Sequence, residues 1–177
     1  MRLQTELSKN DYLQYQLYMA SKRKSTRKER IKSQILVSLF LCITGFLLAS
    51  VNRNKNYLIA FGLASIISFI VYPFLLRSFY KRHFANFINE NYGNKTGRPE
   101  ILEIKNGCIL LKDNKSETKL KIKEIQEIVE ISTNYFIMID STAAIILTKN
   151  KATSDFINNL HEKHNLKYSS ELNWRWK

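Results

Sequence analysis

Hydrophobic and polar residues alternate along this chain in two distinct regimes. Residues 33–51 (SQILVSLFLCITGFLLASV) and 57–76 (YLIAFGLASIISFIVYPFLL) contain no Asp, Glu, Lys, Arg or His. At about 1.5 Å of rise per residue, each block makes a helix of roughly 28–30 Å, the thickness of a bilayer hydrocarbon core. Residues 52–56 separate the blocks, so the pair reads as a transmembrane hairpin with a short external loop. The rest of the chain has too little apolar surface to wrap two such helices on all sides, which argues against a soluble core. About thirty mostly polar residues precede the first block, so a cleaved signal peptide is not expected.

From residue 99 onward the period changes to two. Segments 101–105 and 108–112 flank Asn106-Gly107, a strong hairpin signal because both residues tolerate positive φ. Further strands are expected at 118–123, 127–131, 135–139 and 143–148, with turns at 113–115, at Asn134 and at Asp140-Ser141. Thr153 or Ser154 is expected to cap a terminal helix bearing Phe156, Ile157, Leu160 and His164 on one side. Near the start, Ser8 and Asp11 have capping-box spacing. Tyr12, Tyr15 and Met19, with Leu13, Leu17 and Ala20 beside them, then recur at helical spacing. This helix is expected to continue through the basic stretch into the first span. Its apolar side faces either lipid headgroups or the β domain. The expected fold is an α+β membrane protein, a two-helix hairpin with a C-terminal antiparallel β domain forming a partial barrel closed by one α-helix.

The expected partition is a basic juxtamembrane segment (1–32), two spans (33–51 and 57–76) joined by a loop (52–56), a juxtamembrane helix and linker (77–98), and the β domain (99–177). In the fifth of these, Arg77, Phe79, Tyr80, His83, Phe84 and Phe87 continue an amphipathic helix to about Glu90.

Charge sharpens this picture. The formal net charge of +13 is distributed as an excess of six in residues 1–32, two in the loop, four in 77–98 and one in 99–177. A nucleic-acid reader concentrates basic charge on its folded domain, so nucleic acid is not an expected partner. The basic residues instead flank the spans: Lys22, Arg23, Lys24, Arg27, Lys28, Arg30 and Lys32 before the first, Arg77, Lys81 and Arg82 after the second. The loop has only Arg53 and Lys55. By the positive-inside rule both termini are cytoplasmic, the protein is multi-pass, and anionic headgroups are its expected lipid partners. Cys42 lies mid-span and Cys108 in a strand, so reduced thiols are expected.

Inside the spans, Gly45 and Ala49 on one helix, and Ala60, Ala64 and Ser68 on the other, form small-residue stripes. Such stripes let backbones approach closely, within the hairpin or across a homodimer. Ser, Thr and Cys in the spans are expected to bond back to their own helices, and no proton relay or ion path is expected. Pro73 should kink the second span.

Little else suggests chemistry. His161-Glu162-Lys163-His164 puts its histidines three apart, not the four of a zincin helix, and no carboxylate or thiol cluster completes a metal shell. Glu117, Glu124, Glu127 and Glu130 alternate with lysines as on a solvated face. No catalytic, cofactor-binding or metal-binding residues are therefore expected, and no cofactor. Trp174 and Trp176 suit either packing on the β domain or the headgroup layer.

The order of parts resembles the YcxB-like bacterial membrane proteins. The resemblance rests on Asp11-Tyr12-Leu13 with Tyr18, the paired spans, the Asn106-Gly107 hairpin, Ile122, Ile125 and Ile128, the strands at 135–139 and 145–147, and the helix from Ser154. The chain departs from the family at Lys121 and Lys123, where a Trp is common, and lacks a Pro after Leu147-Thr148. The resemblance implies a pleckstrin-homology-like C-terminal domain and a place in the bacterial inner membrane, with no catalytic residues to carry over. The functional expectation is a non-enzymatic membrane-anchored interaction module whose β domain binds a protein partner or lipid headgroups. The alternative is an immunity protein whose partner is a bacteriocin or secreted toxin.

Overall fold

The computed structural model describes residues 1–93, 96–113, 117–141 and 143–176. They form two compact units. Residues 1–19 with 84–176 make one, and residues 20–83 make the other. In sequence, therefore, the apolar hairpin interrupts a unit that begins at the first residues.

The first unit opens with a strand that periodicity did not reveal, β1 (Arg2–Glu6), whose alternate residues Leu3 and Thr5 are buried. It pairs antiparallel with β2 (Pro99–Lys105), setting Leu3 opposite Leu102. β2 turns into β3 (Cys108–Lys112) through Asn106 at φ 50° and Gly107 at φ 70°, the left-handed pair that the sequence predicts. β4 (Glu117–Lys121) completes a sheet of order β1-β2-β3-β4. The strand expected at 118–123 stops early because Ile122–Glu124 form a 3-10 turn. Within the expected turn at 113–115, Asn114 and Lys115 lie outside the described residues, as do Asn94 and Lys95 of the linker.

The second sheet is built from β5 (Glu127–Glu130), β6 (Asn134–Met138), β7 (Ala144–Thr148) and β8 (Tyr168–Ser170), in the order β7-β6-β5-β8. β8 runs parallel to β5, so the β region is two small sheets, one of them mixed, rather than one antiparallel meander. Between β7 and β8 lies α4 (Lys151–His164). Its cap is Asn150, not Thr153 or Ser154. Thr153 is the reciprocal partner, donating its N–H to Asn150 Oδ1 at 2.9 Å while its Oγ1 accepts the Asn150 N–H at 2.8 Å.

Both sheets and α4 share one core, in which Leu102, Ile109, Ile128, Ile137, Leu147, Phe156 and Leu160 are fully buried. The other face of the second sheet is also covered. There α1 (Lys9–Lys22) lays Tyr15, Tyr18 and Met19 on Val129, Phe136, Met138 and Ile146. Every residue of β6 is consequently buried, against the half-buried alternation of a two-layer strand. Residues 1–19, which fall within the expected 1–32 segment, thus lie in the β unit.

The second unit consists largely of α2 (Lys24–Asn52) and the greater part of α3 (Asn56–Tyr92). The helix expected to run unbroken from Ser8 into the first span is interrupted at Arg23, whose φ and ψ of −68° and 117° are extended. Lys22 in the last turn of α1 suits that helix's negative end. α2 ends at Arg53 in the left-handed region, and α3 runs on past the apolar block to Tyr92, as the amphipathic pattern predicts.

Candidate functional site

The hairpin is the feature of this chain that an isolated molecule in water cannot explain. Only 6% of the apolar window of either helix is buried. Phe40, Phe46, Val51, Ile66 and Phe74 each keep more than 60% of their surface exposed. A core helix of a soluble protein hides such residues, and a continuous apolar surface of this extent marks a membrane or protein contact. Both helices are long and apolar enough to cross a membrane.

Polar bonds contribute to the join between α2 and α3. Pro73 has no N–H, so the carbonyl of Phe69, four residues earlier, loses its helical donor. Gln34 Nε2 on the opposite helix donates to that Phe69 oxygen at 2.8 Å. The orphan acceptor created by the proline is thereby satisfied across the hairpin. One layer further in, Ser65 Oγ donates to the Ser38 carbonyl at 2.9 Å and accepts from Cys42 Sγ at 3.3 Å. Thr44 and Ser50 bond back to their own helix, as expected, but Ser65 does not.

The small residues divide accordingly. Gly45 is buried on Phe61: a Cβ there would overlap the Phe61 Cβ and lie 3.1 Å from its Cγ. Ala49 and Ser68 are half-buried, whereas Ala60 and Ala64 are exposed. Within the hairpin, α3 meets α2 through Phe61, Ser65 and the Phe69 carbonyl, which leaves the Ala60-Ala64 face open. The clue was available, since a proline inside a helix leaves a carbonyl without its donor and Gln34 is the strongest donor in the first block.

Two polar clusters organise the β unit. Asp11 is 5% exposed and accepts from the Ser8 N–H at 2.8 Å, from Ser8 Oγ at 2.6 Å and from Asn134 Nδ2 at 2.6 Å. The capping box of α1 is thus tied to the fully buried Asn134 at the start of β6. Tyr18, further along α1, donates to Glu171 at 3.1 Å, and burial together with that carboxylate pushes its phenol well up. Burial and the nearby Glu100 raise Tyr12 to about 12.

The second cluster corrects the expectation that Glu130 lies on a solvated face. Its side chain is 13% exposed, ion-paired to Lys149 and bonded by Tyr168 Oη and Ser170 Oγ, each at 2.9 Å. Burial alone would raise its carboxyl, but the donors from Lys149, Tyr168 and Ser170 outweigh it and hold the group below the usual range. This is a staple of β8 onto β5.

Of the remaining candidates, His161 Nδ1 meets the Leu166 carbonyl at 2.7 Å and its ring lies 5.2 Å from Tyr168, a helix-end role. His164 instead borders a shallow hollow beside the Asn106-Gly107 turn. No group of three or more His, Cys, Asp or Glu poised to hold a metal occurs among the described residues. Trp176 is 6% exposed and Trp174 packs edge-on against Tyr18 at 5.3 Å, so both indoles belong to the β unit. Among the flanking basic residues, Arg30 is half-buried, whereas Lys22, Arg23, Lys24, Arg27, Lys28, Lys32, Arg77, Lys81 and Arg82 are exposed. No family model, curated protein or solved structure matches this chain.

Proposed function

We propose that this chain is a non-enzymatic, membrane-anchored interaction module. In this reading α2 and α3 cross the bacterial inner membrane as a hairpin with both termini cytoplasmic. The β unit, read as a pleckstrin-homology-like domain, binds a protein partner or lipid headgroups. The observation that supports it best is the contrast between the units. One packs two sheets and two helices around its own core. The other leaves the apolar surface of its helices uncovered. The distribution of basic charge supports the orientation.

The test uses the full chain in its native membrane. Single cysteines at Asn54 and at Lys123, in a background without Cys42 and Cys108, are challenged with an impermeant maleimide. Labelling of position 54 in intact cells, and of 123 only after permeabilisation, is the expected result; the reverse pattern refutes the orientation. Photo-crosslinkers at exposed β-unit positions such as Lys119 and Lys121 then test the module. A discrete protein or lipid adduct is expected, and no adduct at any position removes the basis for an interaction role.

A further inference from the structure

At the end of the hairpin where the basic residues gather, the two helices enclose a cleft of about 200 Å³. Arg27 and Arg30, one helical turn apart on α2, border it together with Tyr72 of α3. Ile31 and Leu76 supply apolar walls, and the Gln34–Phe69 bond at Pro73 lies at the same level. No carboxylate lines it among the described residues. The cleft is thus lined by two arginines, a tyrosine and Gln34 among apolar side chains, beginning less than two turns before the uncharged block at residue 33.

A second hollow adjoins it. This groove of about 380 Å³ on α2 shares Ile31 and runs from Lys28 and Lys32 past Ile35 and Leu36 to Leu39. One end is cationic and the remainder apolar. Taken together, the two hollows have the chemistry of one amphiphile: a cleft bordered by two arginines beside a groove lined mainly by hydrocarbon, with Ile31 common to both.

We infer that this end of the hairpin is a discrete seat for one anionic glycerophospholipid, its phosphate held by Arg27 and Arg30 and an acyl chain laid along α2 toward Leu39. Guanidinium forks match a phosphate's oxygens in pairs, which a lysine cannot do. Basic pockets between transmembrane helices are suited to anionic headgroups by the same logic. The seat differs from general attraction of a basic flank to a charged surface, because it assigns the lipid to two arginines among ten flanking basic residues. The inference rests on the membrane-spanning reading proposed above.

The test is lipid retention by the full chain, extracted in mild non-ionic detergent and read by native mass spectrometry, with phosphatidylglycerol and phosphatidylcholine as the added probes. One retained phosphatidylglycerol per chain is expected, in preference to phosphatidylcholine. Arg27→Gln with Arg30→Gln should lower retention by about tenfold or more. Arg23→Gln with Lys24→Gln removes the same charge outside the cleft and should leave retention within about twofold of the parent. Arg27→Lys with Arg30→Lys keeps the charge and should still weaken retention. Equal loss in the two Gln pairs, equal retention of both lipids, or displacement by inorganic phosphate overturns the seat. Carbonate extraction separates the two levels: a chain that stays in the membrane yet retains no lipid overturns the seat alone, and a chain that washes off overturns the spanning reading as well.

Discussion

Asn134 shows how one side chain couples distant parts of this fold. It is fully buried, and its amide donates to Asp11, itself buried and capping α1. Removing the donor leaves a carboxylate short of one partner in an apolar setting. Asn134→Ala should therefore cost about 1–3 kcal/mol in the β unit, measured by chemical denaturation of the full chain in detergent with the Trp174 environment as the probe. Glu130 yields a pH dependence. Its carboxyl is lower in the folded chain than its ordinary 4.5, because the donors around it outweigh burial. Its stabilising contribution is hence complete above about pH 4.5 and is lost as pH falls through the depressed value. Glu130→Gln should flatten that acid limb of stability while leaving the neutral region as its new baseline. A limb unchanged in the variant would assign the acid sensitivity to other groups.

At the scale of elements, the α2–α3 contact depends on two local exchanges. Gln34→Leu should destabilise the hairpin by about 0.5–2 kcal/mol, the range for interhelical bonds within membranes. The penalty should shrink in a Pro73→Ala background, because alanine restores an N–H for the Phe69 carbonyl. A double-mutant cycle on unfolding in mixed micelles reads that coupling directly, and strict additivity would show that the bond does not compensate the proline. Gly45 and Gly62 make a second pair. A Cβ at Gly45 meets Phe61, whereas at Gly62 nothing lies within 4 Å. Gly45→Ala should cost about 1–3 kcal/mol by overpacking. Gly62→Ala should be neutral or stabilising by up to about 1 kcal/mol through helix propensity. The small-residue spacing predicted close helix approach, and Gly45 lies against Phe61; that Ser65 bonds across the hairpin was not legible, because volume alone does not say which hydroxyl bonds outward.

For the whole molecule, the consequence of the fold concerns what can be cut from it. A fragment beginning at residue 96 keeps seven strands and α4 but loses β1 and α1. It exposes Val129, Phe136, Met138 and Ile146, and leaves Asn134 without Asp11. Such a fragment should aggregate or remain molten. Joining residues 1–22 to residues 84–177 through a flexible Gly/Ser linker should restore a soluble, cooperatively unfolding protein, judged by amide dispersion and gel filtration. Equal folding of both forms would mean that α1 is dispensable to the core.

The amino-acid sequence alone determined the uncharged blocks, the basic flanks, the Asn106-Gly107 hairpin and most of the strands, because each follows from local composition or a short period. It also contained the Ser8–Asp11 box, which closes within a single turn. Tertiary structure decided the rest. β1 is five residues with only two buried positions, and β8 is three residues, so neither carries enough period to be read without its partner strand. The place of α1 on β6, the capture of Glu130 and the crossing bond from Gln34 to Phe69 all join residues at least 35 apart or depend on strands that meet only on folding. Burial on both faces of β6 and hydrogen bonds between distant groups are properties of packing, and no local pattern encodes which of several compatible partners a segment will meet.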